Sequence, residues 1–177
     1  MPLTCWYSNV RNNVSHTVWR AIARQVASEY NNRCGVCGGR GDRHPVECHE
    51  EWSYKHGVSD TGEKRYVQTL EGMIALCPMC HKVKHIGFAH EQGLLHEAIG
   101  QLMFVNQWDE DQVSSYLRLV WETWHARNEV IWDLDISALS RYGVRPDGSE
   151  IQKASSRTTA GYKRPSSEVF LLNKKRT

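Results

Sequence analysis

The stretch Leu76-Cys77-Pro78-Met79-Cys80-His81-Lys82-Val83-Lys84-His85 closes an apolar run, Met73-Ile74-Ala75-Leu76, and leads into a segment of helical character. The apolar run is short enough for a strand. Pro78 suits the first turn of a helix, where its missing N–H would have no partner anyway. That helix carries Cys80, His81, Val83, Lys84 and His85, and Gly87 is expected to stop it. His81 and His85 stand four residues apart, so both rings leave from one face and can share a cation.

A second Cys-x-x-Cys lies upstream, Cys34-Gly35-Val36-Cys37, followed by Gly38 and Gly39. Glycines after such a pair allow the tight turn that aims two thiolates at one ion. With 39 residues between the pairs, Cys34, Cys37, Cys77 and Cys80 can supply four sulfurs in a tetrahedron around one zinc. A closed four-sulfur site has no open position for water, so this zinc is expected to be structural. It would staple both ends of the intervening hairpin. Cys5 and Cys48 are left over, with a buried thiol as their default reading.

Between the pairs, residues 45–54 suit a short strand, 55–65 a polar loop and 66–76 a second strand. Outside them, Val18, Ile22 and Val26 recur every four residues and predict a helix over 15–30, with Ser15 as its N-cap. Residues 94–106 place Leu95, Ile99, Leu102 and Met103 on one helical face. Asp109-Glu110-Asp111-Gln112 opens a further helix with a capping box. Trp52, Trp121 and Trp124 read as core residues. The fold class expected is α+β, a zinc-stapled strand–strand–helix core with flanking helices.

Residues 1–140 carry 13 Lys and Arg against 17 Asp and Glu, whereas residues 141–177 carry 9 against 3. The expected organisation is a folded portion, 1–140, and a basic, mostly disordered tail, 141–177. No apolar run approaches the ~20 residues of a membrane span. The amino terminus has no basic segment followed by an apolar stretch, which points to the cytoplasm. There Cys-x-x-Cys spacing reads as metal rather than disulfide.

Seven of the nine histidines fall within residues 44–96. Taken together, Cys34-x-x-Cys37, Val46-Glu47-Cys48-His49-Glu50 and Leu76-Cys77-x-x-Cys80-His81-x-x-Lys84 resemble the HNH endonucleases of the ββα-metal (His-Me finger) group, over about residues 30–88. The resemblance implies a ββα core that cleaves phosphodiester bonds of DNA with one divalent cation (Mg2+, Mn2+, Ni2+ or Zn2+). It implies that His49 is the general base and that His81 binds the cation, with His85 as the further ligand of some branches. Two positions depart from the family. Cys48 stands where an Asp or His ligand is usual, and Gly72 stands where the middle Asn is usual. Either Cys48 is itself a ligand, or His49 is a ligand and Glu50 or Glu47 serves as the base or a further ligand. In place of the Asn, a backbone carbonyl or Gln68 would orient the base.

For phosphodiester cleavage a neutral imidazole near pH 7 can take a proton from water. The helix opening at Pro78 would turn its positive end toward a phosphate, with Lys82 and Lys84 adding charge. Arg40 and Arg43, beside the knuckle, are further candidate phosphate contacts. The alternative function is a zinc-stapled module that binds nucleic acid or protein without cutting.

Overall fold

The computed structural model describes residues 1–5, 8–41, 45–58 and 60–145. The elements in chain order are α1 (Val10–Asn13), α2 (His16–Glu29), β1 (Glu47–Val58), β2 (Lys64–Leu76), α3 (Pro78–Lys84), α4 (Ile86–Glu91), α5 (Leu95–Asn106), α6 (Glu110–Asn128) and β3 (Asp133–Asp135). A 3-10 turn at Leu3–Cys5 precedes them and another at Ser137–Tyr142 follows. The fold is α+β, with the strands in the order β1-β2-β3 among the described residues.

The chain forms two compact units. Among the described residues, one comprises residues 1–25, 50–73 and 119–145, and the other comprises residues 26–49 and 74–118. In the first, Val18 and Ile22 of α2 are buried, as are Leu70 and Met73 of β2. Ser15 caps α2 as its position predicts, its Oγ accepting from Val18 N at 3.2 Å. β3 pairs with β2 in parallel, Val67 facing Asp133 and Thr69 facing Asp135. A three-residue Asp-Leu-Asp strand carries no periodicity, so its place was not legible in the sequence.

The hairpin is longer than its hydrophobic pattern predicts, for residues 55–58 and 64–65 are strand rather than loop. Residues 55–58 are all exposed. Backbone pairing holds that end of the hairpin, and pairing leaves no apolar signature. The folded chain also continues past residue 140. The Ser137–Tyr142 turn ends at Gly143, which takes a left-handed φ of 72°, and Val144 beyond it is 1% exposed. The rest of the basic segment, 146–177, lies outside the described residues.

The second unit holds both Cys-x-x-Cys pairs. α2 ends where Asn31 and Asn32 adopt left-handed backbone, φ 54° and 53°, a conformation Asn tolerates better than most residues. Asn32 N then bonds Ala27 O at 2.7 Å and closes the helix end. The chain turns into the knuckle, where Gly35 N donates to Ala75 O at 2.7 Å. A Cβ on Gly35 would lie 2.5 Å from Tyr30 and 2.9 Å from Ile74. Glycine here permits close approach to the end of β2.

The break after α3 falls at His85, φ −106° and ψ 42°, not at Gly87. α4 then restarts with Ile86 and Ala89 buried, and Gly87 sits inside it. Burial of those two residues outweighs the single glycine, which costs about 1 kcal/mol in a helix. α6 opens with the expected capping box. Gln112 N donates to Asp109 Oδ1 at 2.8 Å, and Asp109 N donates to Gln112 Oε1 at 3.0 Å.

Candidate metal centre

Two clusters of ligating side chains form in the second unit. Among the described residues, Cys34, Cys37, Cys77 and Cys80 make one, and His49, His81 and His85 make the other. Within each cluster the ligand atoms all lie within 4.8 Å of one another.

The four cysteines are free thiols, three of them buried, in a small core with Ile74 and Leu76 against which Tyr30, Val36, Met79 and Val105 pack. Cys37 Sγ and Cys77 Sγ are 3.7 Å apart. A tetrahedron with metal–sulfur bonds of about 2.3 Å has an edge of about 3.8 Å, so the spacing fits four sulfurs around one ion. Backbone amides support the sulfurs, with Val36 N donating to Cys34 Sγ at 3.4 Å and Cys80 N to Cys77 Sγ at 3.5 Å. The charges of the group are strongly interdependent. The Cys80 thiol donates to Cys34 and pulls its pKa down to about 4, while keeping that proton pushes Cys80 up. Burial pushes Cys37 up to about 11. If all four sulfurs are to be thiolates this close together they need a cation, and the donor set suits a soft or borderline one.

The histidine cluster follows from strand and helix periodicity together. His49 lies on β1, whose side chains alternate between faces, and His81 and His85 are one turn apart on and after α3. The ring centroid of His49 lies 5.0 Å from those of both His81 and His85, which are 4.7 Å from each other. Glu47, two residues before His49 and on the same strand face, accepts a hydrogen bond from His81 Nδ1. With Nδ1 so engaged, His81 Nε2 presents a lone pair. It stands 3.1 Å from His85 Nε2, so a proton or a cation has to lie between these nitrogens. For metal–nitrogen bonds of about 2.0–2.1 Å the tetrahedral edge is about 3.3 Å, close to what is seen.

Burial keeps His49 and His85 neutral. Burial lowers the pKa of His49 to about 2, with His85 and His81 adding to the effect. Burial also lowers His85 to about 4, with His81 the next cause. A neutral imidazole is the form that ligates metal.

Other residues read from the sequence stand elsewhere. Cys48, next to His49 on the strand, is not in either cluster, because alternation sends it to the opposite face. Glu50 also points away from His49. Its Oε1 accepts from Val10 N at 2.7 Å and its Oε2 from Trp52 Nε1 at 3.2 Å, while burial raises its pKa. Gln68 is fully buried and donates to Ser8 O at 3.2 Å, so its amide serves the first unit.

The expected phosphate contacts are similarly engaged. Lys82 pairs with Glu97, and Arg40 Nη2 donates to Asn31 O at 3.2 Å. Arg43 lies outside the described residues. The first turn of α3 is capped internally by Cys77. Lys84 adds positive charge near His49, depressing its pKa further. Glu47, expected as a base or further ligand, instead partners His81. Its i, i+2 relation to His49 was the available signal. Among the described residues, no helix is long and apolar enough to cross a membrane. No protein-family model, curated protein or solved structure matches the chain.

Proposed function

We propose that this chain is a metal-dependent endonuclease of HNH type, hydrolysing phosphodiester bonds in DNA, with a structural zinc on Cys34, Cys37, Cys77 and Cys80. The observation that carries the reading is the convergence of His49, His81 and His85, with Glu47 behind His81. A closed thiolate site next to an open imidazole site separates a structural ion from a working one. Three protein ligands leave a position free for water or substrate.

The sequence resemblance makes His49 the base, and the geometry favours a different role. His49 lies 5.0 Å from both His81 and His85, nearly as close as the 4.7 Å between those two, so we assign it as the third ligand. Glu47 holds His81 in the tautomer whose Nε2 faces the cluster. His85 is the exposed member of the three, so the cluster would be approached past it. A divalent cation held here would lower the pKa of its water toward 7 and stabilise charge on the phosphate. Three nitrogen ligands favour Zn2+ or Ni2+ over Mg2+, which prefers oxygen.

The test is cleavage of supercoiled plasmid by the purified chain with each of Mg2+, Mn2+, Ni2+ and Zn2+, alongside calorimetric titration of the metal. His49→Ala, His81→Ala and His85→Ala should each weaken metal binding and cleavage together, with partial recovery at high metal concentration. A His49→Ala protein that binds metal normally yet is inactive would restore His49 as the base. A second reading rests on Gly72, which offers no side chain where the family carries Asn. If wild type cuts no nucleic acid with any of the four cations, the chain is a zinc-stapled binding module.

A further inference from the structure

Gln101 reaches the four-cysteine cluster from outside both Cys-x-x-Cys segments. Its side-chain Nε2 donates to Cys80 Sγ at 3.1 Å, across 21 residues of sequence. The other N–H donors to the cluster are backbone amides of the knuckle and of the first turn of α3, which almost any residue there would supply. A side-chain amide has to be encoded. Cys80 is 1% exposed, so water cannot satisfy its sulfur, and an unpartnered buried thiolate would be costly.

Gln101 is also one of a pair. Glu97, one helical turn earlier on α5, bonds Lys82 of α3. The i, i+4 pair Glu97 and Gln101 thus holds two residues of α3, one the cluster's own Cys80. Ala98 and Leu102 on α5 are buried beside them. Packing against α3 could be met by an apolar residue at 101, but a donor to sulfur could not.

We propose that Gln101 is a positioning residue of the four-cysteine metal site. Its N–H withdraws charge from the Cys80 thiolate and fixes that sulfur toward the ion, and this slows metal release. The inference rests on reading the cluster as a zinc site, and the experiment separates the two. Zinc release from the full-length chain into a chromophoric chelator is timed, and the thiolate-to-metal charge-transfer band is recorded after replacement by Co2+. Gln101→Met keeps length and loses the donor. It should release zinc about 10–100-fold faster, the range for losing a hydrogen bond behind a metal ligand, with its Co2+ band moved to lower energy.

Should the Met variant fail to fold, Gln101→Lys and Gln101→Glu carry the comparison, since both are long and polar but only lysine donates. The Lys variant should hold zinc like wild type, and the Glu variant should lose it at least as fast as Met is expected to. Equal release from Lys and Glu, or wild-type release and spectrum from Met, would overturn the role of Gln101 alone. A wild-type chain that takes up Co2+ with no tetrathiolate spectrum would remove both the site and its support.

Discussion

Acid should weaken this fold through His49, and His49→Gln should remove that part of the weakness. The imidazole is neutral in the folded chain, with its pKa lowered from 6.5 to about 2 by burial and by its histidine neighbours. In the unfolded chain it takes a proton near pH 6.5. The unfolded state therefore binds more protons below that pH, and stability falls as pH drops from 6.5 toward 2. Each pH unit in that window costs about 1.4 kcal/mol for one fully shifted group. Between pH 7 and pH 5 His49 alone should cost about 2 kcal/mol. For a chain of this size that is about 4–8 °C in Tm. His85 acts with the same sign down to about pH 4, but it is more open to solvent and its share is smaller. The assay is thermal unfolding of wild type and His49→Gln at pH 7 and pH 5 without added divalent cation, read by circular dichroism. Glutamine does not titrate, and cysteine effects are common to both proteins, so the difference between the two pH dependences isolates His49. If both proteins lose the same Tm on acidification, His49 is not held neutral by burial, and the reading of a preformed ligand site loses its electrostatic support.

Three further outcomes follow from particular contacts. Gly35→Ala should lower stability by about 1–3 kcal/mol through overpacking against Tyr30 and Ile74, and Gly35→Ala in a Tyr30→Ala background should cost measurably less; additive effects in denaturant titration would refute the clash. Val144→Ala should cost about 2 kcal/mol, the burial of two methylenes plus a small cavity, where a residue in a solvated tail would be neutral. Glu47→Gln should weaken metal binding at the histidine site about 10–100-fold in calorimetry while zinc at the cysteines stays bound; unchanged affinity would mean that Glu47 does not orient His81.

Much of this was legible because its signals are local. The 3.6-residue spacing of Val18, Ile22 and Val26 marked α2, the Asp109–Gln112 capping box marked the start of α6, and Cys-x-x-Cys spacing marked the four sulfurs. His81 and His85 could be paired from helical geometry alone. What the sequence could not determine depends on contacts between distant segments. Whether His49 faces the helix histidines, and whether Cys48 and Glu50 do not, is decided by strand register, since a shift of one residue would exchange the two faces. The partners of Lys82, Glu47 and Gln68 were likewise open until tertiary contacts placed Glu97, His81 and Ser8 beside them. The exposed end of the hairpin and the three-residue β3 escaped notice because backbone pairing, unlike burial, needs no apolar pattern. Helix periodicity and ligand spacing are written into neighbouring residues, whereas the face a side chain takes across a sheet is settled only when the strands pair.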